Sequence, residues 1–265
     1  MNIIRELLAN RRLIWKLSKN DFKTKYAGSY FGIIWAFVQP IVTILIYIFV
    51  FQFGFRAQPI ATDIPYALWL VAGIVPWFFF SEALVNATNC LLEYSYLVKK
   101  VVFKISILPI VKVSSSLFVH VFFVGLAIII YLLFGVVPQP QLIQIVYYTF
   151  CAVCLVIAIS YLTCAIVPFF RDFSSIINII MQVLMWACPI LWSSETTQVP
   201  AIVENILRLN PLCYVIEGYR DSFIYGVWFW EHWKYTLYFW IVTAMIGIIG
   251  FGIFKKLRVH FSDVL

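Results

Sequence analysis

Long uncharged runs alternate with short charged segments along this chain. Thirty uncharged residues run from Tyr26 to Phe55, and 18 from Ile64 to Ser81, interrupted by Glu82. Another 58 run from Val113 to Phe170, 22 from Phe173 to Ser194 and 20 from Tyr235 to Phe254. A helix needs about 20 apolar residues to cross the hydrocarbon core of a bilayer. The 58-residue run holds two such helices, and Val137-Pro-Gln-Pro-Gln141 marks the turn between them. The pattern predicts an all-α integral membrane protein with six transmembrane spans at 31–54, 67–92, 110–134, 142–167, 174–193 and 235–254.

The loop charges orient these spans. Seven Lys and Arg precede the first span, and Lys99, Lys100, Lys104 and Lys112 lie between the second and third. Arg171 follows the fourth, and Lys255, Lys256 and Arg258 follow the sixth. That side carries 15 basic residues against 4 on the other, so both termini are expected in the cytoplasm. Composition agrees, with 63% hydrophobic and 12% charged residues in 265. Too little polar surface exists to cover a water-soluble globule, which excludes a soluble enzyme, a nucleic-acid module and a disordered chain. The first 26 residues hold no clean apolar run, which argues against a cleaved leader. The six cysteines fall almost entirely in apolar stretches and read as small packing residues, the Cys151/Cys154 pair included.

Three segments outside the spans carry candidate function. Residues 1–25 read as an amphipathic helix: Leu8, Trp15 and Phe22 recur every seven residues, while Arg12, Lys16, Lys19 and Lys23 share another face. Such a helix lies in the membrane interface near anionic headgroups, as a simple anchor or also in contact with a cytoplasmic partner. Residues 93–106 interleave Tyr96, Phe103 and other apolar residues with Lys99, Lys100 and Lys104. Two readings stand there: a basic connector, or a short helix that docks into a soluble protein. The segment between the fifth and sixth spans is too apolar for a solvated loop. It predicts two short helices around Asn210-Pro211, either dipping back into the outer leaflet or lying flat on it.

Glu82 is the one ionisable residue placed well inside a span, where insertion of an acid costs about 2.5–3.5 kcal/mol. It faces a polar cavity or partner, or else the span is shorter and Glu82 lies in an interface. Aromatics crowd the spans, and Trp35, Phe51, Phe55, Trp186 and Trp192 are candidates to border a path for a polar substrate. The alternative is an interfacial belt. No phosphate-binding P-loop, metal-binding His cluster or nucleophile elbow occurs, so no catalytic residue, cofactor or metal is expected in this chain.

Four stretches carry a resemblance. They are Lys23-Thr-Lys-Tyr-Ala-Gly-Ser-Tyr-Phe-Gly-Ile-Ile-Trp-Ala-Phe-Val-Gln-Pro40, Ala72-Gly-Ile-Val-Pro-Trp-Phe78, Tyr96-Leu-Val-Lys-Lys-Val-Val-Phe103 with Leu108-Pro109, and Leu209-Asn-Pro-Leu212 with Glu217-Gly-Tyr-Arg220. With the six-span layout, the chain resembles the permease subunit of bacterial ABC-2 type polysaccharide exporters, which move lipid-linked O-antigen, capsule or wall teichoic acid. It departs from that family after the basic pair, where Phe103-Lys104-Ile105-Ser106 stands in place of Phe-Pro-Arg-Glu.

The resemblance implies a homodimer in the bacterial plasma membrane, driven by two separate ATPase subunits that hold ATP and Mg. Residues 1–25 would be the interface helix, 93–106 the coupling helix and 196–218 re-entrant gate helices. Tyr96, Lys99, Lys100, Phe103 and Lys104 would meet the ATPase. Arg12, Lys23 and Lys25, with Lys16 and Lys19, would attract the pyrophosphate head of an undecaprenyl-linked glycan. Trp35, Phe51, Phe55, Glu82, Trp186 and Trp192 would border its path. Two other functions stay open: an ABC-2 exporter of a small molecule or drug, and a membrane-embedded transferase acting on lipid-linked substrates.

Overall fold

The computed structural model describes residues 9–55, 64–98, 104–193 and 200–265. All regular secondary structure among them is helical. Backbone polar groups cannot be left unpaired in lipid, and a helix satisfies them within one segment.

Helix α1 spans Arg11–Lys25 and lies outside the apolar spans. The first span is α2, Trp35–Ile48, entered by a 3-10 turn at Gly32–Ile34 and left by a π turn at Phe49–Gly54. The second is α3, Tyr66–Thr88, followed by the single turns α4, Cys90–Glu93, and α5, Ser95–Val98. The third is α6, Leu108–Leu133, which opens with Pro109 in its first turn, where a missing N–H costs nothing. The fourth is α7, Ile145–Ile166. The fifth, α8, covers Phe173–Ala187. Two short helices follow, α9 at Ala201–Arg208 and α10 at Pro211–Arg220, then the long α11, Trp233–Leu257, and a final turn α12, Phe261–Val264.

The six apolar helices stand where the hydropathy pattern puts them. Five are long enough to cross a bilayer; α8 is the shorter one. It stops at Ala187 instead of running to 193 because Pro189 forces Cys188 into an extended conformation (φ −72°, ψ 146°). Around Asn210 the chain forms the expected pair of short helices. The Asn210 side chain accepts from the Leu212 backbone N–H at 3.0 Å, and Pro211 takes the first helical position. Leu212 to Ile216 are all buried, so α10 is not a surface-lying element, whereas Ile202, Ile206 and Leu209 on and after α9 are exposed.

The core forms around α3, which packs against α6, α7, α8 and α10, with α11 laid along α7. Two ends of the bundle are defined by side-chain bonds. At one, Ser18 of α1 donates to the Val111 carbonyl (3.2 Å), Tyr161 donates to the Ser106 carbonyl (2.5 Å), and the Thr88 and Thr163 hydroxyls meet at 2.8 Å. At the other, Tyr66 donates to Leu191 (2.7 Å), Tyr131 to Leu68 (2.8 Å) and Gln144 to Val227 (2.6 Å). Phe254 of α11 packs on Tyr161, so the first and last helices share the first of these ends. All six cysteines are free, and five are buried.

Candidate functional site

Span 1 and span 2 leave a groove of about 420 Å³ between them at the α1 end. Lys25, the last residue of α1, reaches into it and bonds Glu82 at 2.5 Å. The two side chains are 36% and 28% exposed. Glu82 therefore neither faces lipid alone nor lies free in an interface: it is held by a cation in a partly exposed groove. Burial alone would lower the Lys25 pKa, but the Glu82 carboxylate and its hydrogen bond more than offset that, and the ammonium is held above its ordinary value. Trp35 lines the same groove, with Gln39, Thr43 and Asn86 adding hydrogen-bonding groups.

Nearby, α1 is fastened to the bundle by buried charge. Lys112, near the start of α6, sits between Asp21 (2.7 Å) and Glu93. The Lys112 and Asp21 side chains are 9% and 7% exposed. Tyr94 donates a 2.6 Å hydrogen bond to the same Asp21 carboxylate, and Lys112 lies 5.1 Å above its ring. Burial, together with that bond, pushes the Tyr94 hydroxyl well above its ordinary pKa. Three separate segments meet here: α1, the turns after span 2, and the start of span 3. Removing one member of such a pair costs about 3–5 kcal/mol, because the other charge stays buried without a partner.

Sequence reasoning counted Lys112 only as a loop charge and did not single out Asp21 or Glu93. A signal existed for Asp21. It lies one turn from Ser18 on the helix face opposite the basic stripe, where an acid has no reason to sit unless a cation waits below it. The predicted heptad stripe also docks onto protein: Trp15 and Phe22 both meet the ring of Phe118 in span 3, at 5.3 and 5.9 Å. Arg12, Lys16, Lys19 and Lys23 are all exposed on the outer face.

The expected path residues do not form one cluster. Trp35 belongs to the Lys25 groove. Phe51 stacks on Tyr66 at the opposite end (5.9 Å, 25°), with the exposed Phe55 against it. Trp186 is exposed on α8 beside Met185 and Trp77 in a second groove. Trp192 lies beyond the end of α8, where its indole N–H donates to the Trp186 carbonyl at 2.8 Å. Of the expected coupling residues, Tyr96 is exposed on α5 and Lys104 is exposed and extended. Lys99, Lys100 and Phe103 lie outside the described residues, as do 1–8 of the expected interface helix and 196–199 of the gate segment. Among the described residues no cluster of His, Cys, Asp and Glu could hold a metal ion.

The sequence is similar to known transport proteins along nearly its whole length. It is 29% identical over 257 residues to a Klebsiella pneumoniae protein named O-antigen export system permease protein RfbA, covering 96% of this chain and 95% of that protein. A second K. pneumoniae protein of that name is 25% identical over 262 residues, with the same coverage. A Myxococcus xanthus protein of that name is 25% identical over 224 residues, 84% of each chain. The profile of the family described as "ABC-2 type transporter" matches residues 12–224, from the amphipathic helix through all of α10, and the chain belongs to that family.

Proposed function

We propose that this chain is the channel-forming subunit of an exporter that moves a lipid-linked polysaccharide across the bacterial plasma membrane. It would act as a homodimer with two separate cytoplasmic ATPase subunits. The observation that carries this reading is the end-to-end similarity to permeases named for O-antigen export. The loop-charge asymmetry supports a cytoplasmic α1 end.

In this reading the diphosphate of an undecaprenyl-linked glycan competes with Glu82 for Lys25, drawn in by Arg12, Lys16, Lys19 and Lys23 on the exposed face of α1. The lipid tail stays in the bilayer beside Trp35. The exposed apolar flank of α2 and α8 borders the partner copy, and Phe51, Phe55, Trp186 and Trp192 present ring faces on which sugars slide. ATP and Mg are held and turned over by the partner subunits. Their motion enters through residues 93–106, whose first residue, Glu93, meets Lys112 of α6 beside Asp21 of α1.

The test is removal of the chain from the cell. Accumulation of a lipid-linked glycan on the cytoplasmic side, and co-purification of the tagged chain with an ATPase, are expected. Undiminished surface polysaccharide in the deletion strain would refute the reading.

A further inference from the structure

The end of the bundle remote from α1 holds another cavity, of about 410 Å³. Arg220, 4% exposed, forms part of its wall. Its guanidinium stacks on the Trp69 indole at 3.4 Å and donates from Nη2 to the Ile190 carbonyl at 3.1 Å. Its Nε has no hydrogen-bond partner among the described residues. Span 2 makes room for it with Gly73, where a Cβ would stand 2.6 Å from Nη2. Glu217 and Asp221, three residues before and one after Arg220, line the same cavity. Tyr225 and Tyr235 complete its sides, and Tyr225 is positioned by a 3.2 Å bond from the Trp69 indole N–H.

Several ligand classes fit this lining poorly. A metal ion finds no ligand cluster among the described residues. An anion meets two carboxylates already faced by Arg208 and Arg220, and an alkyl chain would strip water from four charged groups. Carboxylate acceptors opposed to aromatic rings match a different chemistry: a saturated ring with hydroxyls around its edge and C–H groups on its faces. The Asp221 carboxyl is raised to about 7 by burial and by Glu217 and Glu231, with Arg220 acting against them, so it both donates and accepts near neutral pH.

We propose that this cavity is a saccharide-binding site, in which Glu217 and Asp221 bond sugar hydroxyls while Tyr225 and Tyr235 cover a C–H face. The source of the sugar, the glycan emerging from the conduit, rests on the function proposed above; the binding itself does not. The site would hold the leading sugars on the far side of the membrane and oppose their backsliding.

The test is saturation-transfer NMR on the full-length protein in lipid nanodiscs, with free glucose, galactose, mannose and N-acetylglucosamine offered singly at millimolar concentration. At least one is expected to receive saturation on its ring protons. Glu217→Ala and Asp221→Ala should each weaken binding about tenfold, the scale of one lost charge-assisted hydrogen bond. Tyr225→Ala, at a 44% exposed position and so gentle on folding, should lose transfer to the C–H face. Absence of transfer from all four sugars, transfer that survives in all three variants as folded protein, or displacement of the sugar by inorganic phosphate would overturn the proposal. If the sugars bind while a deletion strain still displays its surface polysaccharide, the export reading fails and this one stands. If export is lost in the deletion strain but no sugar binds, the reverse holds.

Discussion

Spans 1 and 2 are neighbours of similar length, and both are apolar, yet they live in different surroundings. The most apolar stretch of span 2 is 78% buried in the protein; that of span 1 is 11% buried. The more apolar of the two is the exposed one. In water the order would be reversed. In a bilayer the solvent is itself hydrocarbon, so the exposed helix carries bulky aliphatic and aromatic residues, such as Leu45, Ile46, Phe49 and Phe53. The buried helix sets bulky residues such as Trp69, Trp77 and Phe79 among small and polar ones: Ala72, Gly73, Ala83, Ala87 and Thr88. Close packing and specific contacts, which small residues permit, hold the interior together. The exposed flank is free to move against lipid or a second chain.

The contrast is sharpest where the packed body is cut. Lys112→Met should leave Asp21 buried without its cation and destabilise the protein by about 3–5 kcal/mol, seen as a lower unfolding temperature in detergent. Lys112→Arg should recover part of that loss. Gly73→Val in span 2 should displace Arg220 and cost about 1–3 kcal/mol by overpacking, measured the same way. On the exposed flank, Leu45→Ala and Ile46→Ala should shift stability by less than about 0.5 kcal/mol. If either proves as damaging as Gly73→Val, the division between flank and body is wrong. Ile179→Cys on α8 is expected to cross-link two copies on mild oxidation, and its failure to do so would assign this face to lipid alone.

A separate effect concerns pH. The carboxyl of Asp221 holds its proton more tightly in the folded chain, up to about pH 7, than in an unfolded one. Its contribution to stability is therefore complete below about pH 4 and fades as pH rises through 7. Asp221→Asn should flatten that slope in an unfolding series between pH 5 and 8.

Much of the layout could be read from the chain alone, because hydrocarbon thickness imposes a length on every span. The expected 67–92, 110–134, 142–167 and 235–254 overlap Tyr66–Thr88, Leu108–Leu133, Ile145–Ile166 and Trp233–Leu257. Span 5 was less legible. A run without charge continues through Cys188-Pro189, and hydropathy does not register that proline ends the helix. The groups around the candidate site were the least legible. Glu82 stood out because it interrupts an apolar run, but its partner Lys25 is 57 positions away, among other basic residues. Asp21, Glu93 and Lys112 each look like ordinary loop charges, and only the fold brings them together. Arg220 could be suspected only by noticing a cation beside the buried stretch Leu212–Ile216.

The early end of α8 has a consequence for the bilayer itself. Fifteen residues rise about 22 Å, against a hydrocarbon core of about 30 Å. Where lipid meets this helix it thins, or water and headgroups dip toward Pro189, to relieve the hydrophobic mismatch. The dielectric barrier facing any hydrated cargo is lowest along that stretch of the protein's perimeter, before a motor has done any work.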